Sequence, residues 1–381
     1  MTKLVVVSDF SFKGSGYLNI MSPLCTHLAN LGYDIKVIGL GYLGEPHSLP
    51  FSIIPCNSIS DSRVMLNNLI ILGQADIVVV GMDIPYQAQY IDTAKKLGKK
   101  VISITPLENP PLTMSWAFIL QQADKVFFIS QMGADEAQKA GVETAEHLVV
   151  GMDTQSWRMR TKEEYEGGRK SLGISEDTLV VLTVADNQER KNLSKAMEIV
   201  SKVKKEHGVK VRYILVTREN SEVGWKLRDL AMDYGIASEL MIFERGLSFG
   251  ELYALYAMSD VFLLSSKAEG LGMPVMEAMC IGVPVVATSC GAMPELLGGD
   301  FEWERGYLME TEYSMIDPWG NSRRDFPKAA SGIQALLNVQ LQKSTSPLVA
   351  PNRARIYMET RTWDKPTIQV KTAIEELLNE N

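Results

Sequence analysis

The stretch from Ser265 to Glu295, SSKAEGLGMPVMEAMCIGVPVVATSCGAMPE, decides the fold that this sequence predicts. It follows an apolar run, Val261 to Leu264, which is typical of a buried parallel strand. Ligands of parallel α/β sheets bind outside the carboxyl ends of the strands. A binding site is therefore expected in the loop that begins at Ser265.

The loop leads into a helix whose start is rich in glycine. Pro274 suits the first helical position, because its fixed φ and missing N–H cost nothing there. The segment Gly270–Met273 is then expected at a helix N-terminus, where backbone N–H groups and the helix dipole attract anions. Glycines also let a phosphate approach the backbone closely. The pattern predicts a diphosphate site.

Two glutamates, Glu269 and Glu277, flank this segment. Carboxylates repel phosphates but accept hydrogen bonds from hydroxyl groups, so a ligand with both a phosphate and a sugar would satisfy both kinds of group. The alternative for each residue alone is ordinary: a solvated loop acid, and a first-turn acid that compensates the dipole.

Alternating strands and helices extend over the rest of the chain. Apolar runs such as Leu4–Val7, Ile35–Leu40, Ile77–Val80 and Val101–Ile104 are separated by helical patterns. This alternation predicts an α/β protein with mostly parallel, doubly wound sheets. Ser248, followed three residues later by Glu251, predicts a capping box at the start of a helix.

EGLGMPVME followed by AMCIGVPVVATSCGAMPELL resembles the E-x7-E signature of the retaining GT-B glycosyltransferases, particularly the GT4 family. The resemblance implies two doubly wound Rossmann-like domains that face each other across a cleft. It implies an acceptor-binding domain in residues 1–155 and a nucleotide-sugar-binding domain in residues 156–355. Residues 356–381 are expected to form a helix that crosses back onto the first domain.

A basic pair, Arg190 and Lys191, stands just before an amphipathic helix. Basic residues oppose the dipole at a helix N-terminus, so the pair suggests a bound anion; a solvated pair is the alternative. The resemblance assigns both residues to the charge of the donor diphosphate. The resemblance implies three catalytic residues, Arg190, Lys191 and Glu269. It also implies a set of donor-binding residues: Gly14, Ser15, Gly16, Thr105, Gly270, Leu271, Gly272, Met273 and Glu277.

Three positions depart from known patterns. The loop Gly14–Gly16 precedes a helix, but Asn19 holds the last position of GxGxxG, which argues against a Rossmann dehydrogenase. A plain strand-to-helix turn remains an alternative for this loop. Thr105 lies where many GT4 enzymes have a histidine, and Asp186 lies where the family's arginine is expected. Whether Thr105 and Arg190 replace those residues stays open at this point.

Composition limits the class of protein. The 381 residues suffice for two domains, and a net charge of −8 argues against a nonspecific nucleic-acid binder. No uncharged run has the length of a membrane span and the N-terminus is not a signal peptide, so a cytoplasmic location is expected. The four cysteines and four histidines lack metal-site or disulfide spacing, so the thiols are expected to be reduced.

These features predict a retaining glycosyltransferase that moves a sugar from a UDP- or GDP-linked donor to an acceptor hydroxyl of unknown identity. No metal and no cofactor besides the donor substrate is expected. A non-catalytic GT-B subunit that acts as a binding or chaperone-like partner is the alternative, motivated by Thr105 and Asp186. An epimerase or phosphorylase on the same fold is a third possibility, which fold alone does not decide.

Overall fold

A computed structural model describes residues 1–12, 14–298, 305–318, 320–345 and 353–380 of the chain. The chain divides into two compact units. Unit 1 comprises Met1–Gly151, Gly320–Ser322 and Arg361–Asn381, and unit 2 comprises Met152–Trp319 and Arg323–Thr360.

Unit 1 is built on a parallel sheet of seven strands in the order β3-β2-β1-β4-β5-β6-β7. The strands are β1 Lys3–Asp9, β2 Asp34–Leu40, β3 Ser52–Cys56, β4 Ile77–Gly81, β5 Lys100–Thr105, β6 Lys125–Phe128 and β7 Ala145–His147. The helices between them are α1 Leu18–Asn30, α2 Ile59–Ile71, α3 Ile84–Lys96, α4 Met114–Leu120 and α5 Gln131–Lys139. Helices cover both faces, so the middles of the central strands are apolar and fully buried, as at Val5 and Val78.

Unit 2 repeats this plan with six parallel strands in the order β10-β9-β8-β11-β12-β13. They are β8 Leu179–Val184, β9 Val211–Thr217, β10 Leu240–Glu244, β11 Val261–Leu264, β12 Val285–Thr288 and β13 Tyr307–Met309; β14 Thr311–Ile316 and β15 Arg323–Pro327 form an antiparallel hairpin. The helices are α6 Lys162–Ser171, α7 Leu193–His207, α8 Leu227–Asp233, α9 Phe249–Ala257, α10 Met273–Ile281, α11 Met293–Leu297, α12 Ala329–Thr345 and α13 Arg353–Glu359, with a 3-10 turn at Glu189–Lys191.

The last helix, α14 Asp364–Asn379, belongs to unit 1. It packs against α1, and the side chain of Gln369 donates a hydrogen bond of 2.8 Å to the carbonyl of His147. Its buried face includes Val370 and Ile374.

The predicted α/β class with two doubly wound Rossmann-like sheets is confirmed. The capping box is also confirmed, because the Ser248 hydroxyl accepts from the Glu251 N–H while the Glu251 side chain accepts from the Ser248 N–H. One detail was wrong: α10 begins at Met273 and Pro274 is its second residue, since Gly272 takes the capping position. The four cysteines are buried, and none of them forms a disulfide.

Candidate functional site

The strand order of unit 2 fixes where a ligand site belongs. Counted along the unit, the order is 3-2-1-4-5-6, so the chain direction across the sheet reverses between β8 and β11. Ligands of open α/β sheets bind at such a switch point, outside the carboxyl ends of the two strands. The loop after β8 carries Arg190 and Lys191, and the loop after β11 carries Glu269. The topology therefore brings the predicted catalytic residues together.

Glycine is required at the start of α10. Gly272 has a φ of +82°, and a Cβ there would lie 2.6 Å from the Cε atom of Met293. Any other residue would be strained and would collide with Met293. No side chain caps α10, so its first turn relies on groups other than a side chain to bond its N–H donors. The segment Gly270–Gly272 is buried and Met273 is half-buried.

Glu269 is a buried carboxylate surrounded by donors. It is 5% exposed, and its Oε1 atom accepts from Lys191 Nζ at 2.6 Å and from Ser266 Oγ at 2.6 Å. Arg190 Nη1 lies 3.7 Å from Oε2. Burial raises the pKa of Glu269, but the charges of Lys191 and Arg190, together with the hydrogen bonds from Lys191 and Ser266, outweigh it and hold the pKa below the usual value. Glu269 is therefore charged at neutral pH.

The turn that carries the basic pair is fastened to the loop after β11. Arg190 Nη1 donates to the carbonyl of Ala268 at 2.7 Å, and the N–H of Lys267 donates to the carbonyl of Arg190 at 2.9 Å. Ser265 Oγ donates to the carbonyl of Asn192 at 2.8 Å. These bonds fix the cations relative to Glu269, independently of any ligand.

Glu277 lies in a different environment. It is 6% exposed, and its Oε2 atom accepts from the hydroxyl of Tyr256 at 2.7 Å. Burial raises the pKa of Glu277 to about 7, and the Tyr256 hydrogen bond opposes that rise. Tyr256 was not predicted as a site residue, because its contact with Glu277 depends on how α9 packs against α10.

Asp186, where the resemblance expects an arginine, is held by two arginines. Arg218 Nε lies 3.0 Å from Oδ1, Arg245 Nη1 lies 3.3 Å from Oδ2, and Gln188 donates to Oδ2 at 3.0 Å. Burial raises the pKa of Asp186, and Arg218 with Arg245 lowers it to a net value below the usual one. Each arginine directly follows a strand, β9 or β10, and this position is a sequence signal that could have identified both. Arg190, by contrast, is placed beside Glu269.

The four remaining predicted residues lie in unit 1. The loop after β1 contains Gly14, with a φ of +103°, and Ser15, whose Oγ accepts from the N–H of Tyr17 at 3.2 Å. A Cβ on Gly16 would meet no atom within 4 Å. Thr105 ends β5, is fully buried and donates to the carbonyl of Met82 at 3.0 Å. Contact between these residues and a donor stays a prediction.

The described ranges contain neither a metal-binding cluster nor a membrane-spanning helix. No three His, Cys, Asp or Glu side chains within residues 1–12, 14–298, 305–318, 320–345 and 353–380 are grouped so that they could hold a metal ion. None of the helices in the same ranges combines the length and the apolar character needed to span a membrane.

Comparisons with known sequences identify a matching family and several relatives. Residues 165–316 match the protein family described as "Glycosyl transferases group 1". The MMP α-(1→4)-mannosyltransferase of Mycolicibacterium hassiacum is 33% identical over 115 residues, which are 30% of this chain and 27% of that protein. The N-acetyl-α-D-glucosaminyl L-malate synthase of Bacillus anthracis is 24% identical over 247 residues, 62% of this chain and 61% of that protein. The match thus spans less than two thirds of either relative.

Comparison with solved structures identifies the fold. The structure of HepE from Anabaena in complex with UDP and glucose aligns with a TM-score of 0.76 at 15% identity, over 99% of this chain and 100% of that chain. The fold is therefore that of the GT-B glycosyltransferases, as predicted.

Proposed function

On the premise that residues 165–316 match the glycosyl transferases group 1 within a GT-B fold, we propose that this protein is a glycosyltransferase with a nucleoside diphosphate sugar as donor. The observation that carries the proposal is the cluster of the buried Glu269 with the half-buried Lys191 and Arg190 at the switch point of the second sheet. It joins two cations and a charged carboxylate to the N-terminus of α10. Such a site offers partners to both halves of a sugar phosphate.

Each group of the cluster has one role in the proposal. Arg190 and Lys191, together with the dipole and amides at the start of α10, neutralise the donor diphosphate. Glu269 accepts hydrogen bonds from the sugar hydroxyls, and Glu277 accepts from the ribose hydroxyls. UDP- and GDP-linked sugars are the expected donors. The UDP and glucose bound by HepE support a uridine nucleotide.

The proposed reaction retains the anomeric configuration. The bond between the anomeric carbon and the β-phosphate oxygen breaks, and the acceptor hydroxyl forms a bond to that carbon on the same face. The acceptor proton passes to the departing phosphate oxygen, so no protein base is needed. Arg190 and Lys191 stabilise the charge that grows on the leaving diphosphate, which is where fixed positive groups lower the barrier most. Residues 1–155 are proposed to hold the acceptor.

The first test is a thermal-shift panel of UDP, GDP, ADP and their common sugar conjugates. A ligand that binds only the folded state raises the melting temperature. We expect one nucleotide class to raise it for the wild type, and Lys191→Met to abolish the shift. Lys195→Met is the matched control, because Lys195 pairs with Glu198 on α7, outside the cluster. No shift with any nucleotide would contradict the proposed donor site.

Turnover distinguishes an enzyme from a binding subunit. The donor that binds is incubated with candidate acceptors, and its hydrolysis and transfer are followed. We expect release of the nucleoside diphosphate, and a product whose anomeric configuration by NMR equals that of the donor. Binding without hydrolysis or transfer would favour the non-catalytic subunit, and an inverted product would contradict the retaining mechanism.

A further inference from the structure

Glu277 is a buried carboxylate with a single hydrogen-bond donor. Only 6% of the residue is exposed, and only the Tyr256 hydroxyl donates to it, at 2.7 Å, within the described part of the chain. No lysine, arginine or histidine of that part forms an ion pair with it. A buried carboxylate without a cation is energetically costly unless it is protonated or further hydrogen-bonded.

The elements packed against α10 supply no compensating charge. On α9, Tyr256 is the residue that faces Glu277. On α13, the guanidinium of Arg355 donates to the carbonyls of Trp157 and Cys280, and it forms an ion pair with Glu359. The neighbouring strands β11 and β12, VFLL and VVAT, contain no ionisable side chain, and α10 itself contributes only the buried thiol of Cys280.

The Tyr256 hydroxyl has two acceptors but one proton. It lies 2.7 Å from Glu277 Oε2 and 3.1 Å from the carbonyl of Pro274. When Glu277 is ionised, the proton is donated to the carboxylate, because a charged acceptor forms the stronger hydrogen bond. When Glu277 is protonated, its own O–H can donate to Tyr256, which then donates to Pro274. In either protonation state of Glu277, the Tyr256 hydroxyl therefore has an acceptor for its proton.

Tyr256 is itself held rigidly. Its ring is fully buried, stacks on Phe262 at 5.7 Å between ring centroids, and meets the edge of Trp157 at 5.7 Å. Burial and the neighbouring carboxylate raise the pKa of Tyr256 well above its usual value, so the phenol keeps its proton. The position of the donated hydrogen bond is therefore set by the core of unit 2.

We propose that Tyr256 is a positioning residue for donor recognition, whose hydroxyl holds one oxygen of Glu277 within the protein so that the other oxygen accepts from the ribose diol of the nucleotide. This inference rests on the proposed function. In this proposal Tyr256 touches no substrate and acts through Glu277.

The ionisation of Glu277 then controls donor affinity. An ionised carboxylate accepts stronger hydrogen bonds from hydroxyls than the neutral acid does. Because burial raises the pKa of Glu277 to about 7, affinity for the nucleotide is expected to increase as the pH rises through neutrality. Tyr256→Phe removes the hydrogen bond that lowers this pKa, so the midpoint is expected to move to higher pH.

The test is calorimetric titration between pH 6 and 8.5 with the nucleoside diphosphate that gives the largest thermal shift. For a group that titrates near 7, the ionised fraction rises about tenfold from pH 6 to pH 8, and the wild-type Kd is expected to fall by about that factor. Glu277→Gln is the control for ionisation of the nucleotide, because any pH dependence of Kd that remains in this variant does not come from residue 277. Tyr253→Phe is the matched control, because Tyr253 lies on the same helix and bonds Arg158 and Glu164 instead.

The expected result is a midpoint that moves to higher pH in Tyr256→Phe and stays in place in Tyr253→Phe. Insertion of 3-fluorotyrosine at position 256 keeps the shape of the ring, strengthens the donor and is expected to move the midpoint to lower pH, even where Tyr256→Phe fails to fold. If Tyr256→Phe and the 3-fluorotyrosine variant both bind the nucleotide with the wild-type pH midpoint, the role of Tyr256 is overturned and the proposed donor site stands. No binding of any nucleotide by the wild type would overturn the proposed function and this inference together.

Discussion

Glu269 and Glu277 are eight positions apart on one loop and helix, and they are about equally buried, at 5% and 6% exposure. Their charges are nevertheless controlled in opposite ways. Lys191 and Arg190 hold the pKa of Glu269 below its usual value, whereas burial raises the pKa of Glu277 to about 7. The turn after β8 explains the difference, because it places the two cations beside Glu269.

Burial alone does not decide the charge of a carboxylate. A nearby cation reverses the effect of desolvation, and a neutral hydroxyl only reduces it. The cation-paired glutamate lies with the groups proposed to neutralise the diphosphate. The glutamate without a cation is available for hydroxyl donors. Besides Tyr256→Phe, three substitutions test this difference, Glu269→Gln, Glu277→Gln and Ser248→Ala, and Glu198→Gln serves as a control.

Glu269→Gln is expected to have the largest effect on stability. The substitution leaves Lys191 and Arg190 largely buried without their carboxylate, which typically costs about 3–5 kcal/mol. The pKa of Glu269 is depressed in the folded protein, so its contribution is full above the unfolded value of 4.5 and is lost as the pH falls through the folded value. Urea denaturation at pH 7.5 and pH 4 measures this loss.

Glu198→Gln serves as its control, because Glu198 also pairs with two lysines, Lys195 and Lys202, on the more exposed surface of α7. A change of at most about 1 kcal/mol is expected there. Equal losses of stability for Glu269→Gln and Glu198→Gln would contradict the expectation that the more buried ion pairs of Glu269 contribute more to stability.

Glu277→Gln is expected to have the opposite sign. A folded pKa of about 7 lies above the unfolded value of 4.5, so the wild type loses stability as the pH rises between these values. The amide does not ionise, so the variant is expected to be more stable above pH 7 by up to about 3 kcal/mol, and equal to the wild type near pH 4.5. Thermal unfolding across pH 4.5–8.5 measures the difference.

The same variant is expected to bind the nucleotide more weakly while being more stable, which is the signature of a residue maintained for binding. A destabilised Glu277→Gln at pH 8 would contradict the assignment of a raised pKa. Unchanged nucleotide affinity in a stabilised variant would separate Glu277 from the ligand site.

Ser248→Ala is expected to have the smallest effect. It removes the capping box of α9, the helix that carries Tyr256, at a cost of about 1 kcal/mol. Tyr256 lies in the last turn of α9, so the midpoint of donor binding is expected to stay at its wild-type pH. Denaturation measures the loss of stability and calorimetry measures the midpoint. A moved midpoint would show that positioning of Glu277 depends on the whole helix.

Much of the fold follows from local patterns in the sequence. The apolar run Val261–Leu264, the glycines after it and the capping residue Ser248 each specify their structure within a few neighbours. Short or polar strands were missed, as in β3, whose sequence SIIPC contains only two adjacent isoleucines, and β7, which has three residues. The hairpin β14–β15 was not predicted either, because it is stabilised by cross-strand pairing that no single strand reveals.

The contacts of the candidate site were likewise predictable only in part. The nearness of Arg190, Lys191 and Glu269 follows from the rule that parallel strands end at one edge. Arg218 and Arg245 were not predicted as partners of Asp186, although each directly follows a strand and that position is a signal for both. Tyr256 has no such signal, since it reaches Glu277 only through the packing of α9 against α10.

The most direct test of the account is a pH titration of the two carboxyl carbons by 13C NMR. The protein is labelled at glutamate Cδ without ligand, and Glu269→Gln and Glu277→Gln assign the two resonances. We predict that Glu277 titrates with a midpoint of about 7 and Glu269 with a midpoint below 4.5. Two midpoints that coincide, or a Glu277 that titrates at its ordinary value, would contradict the claim that these buried glutamates differ in charge.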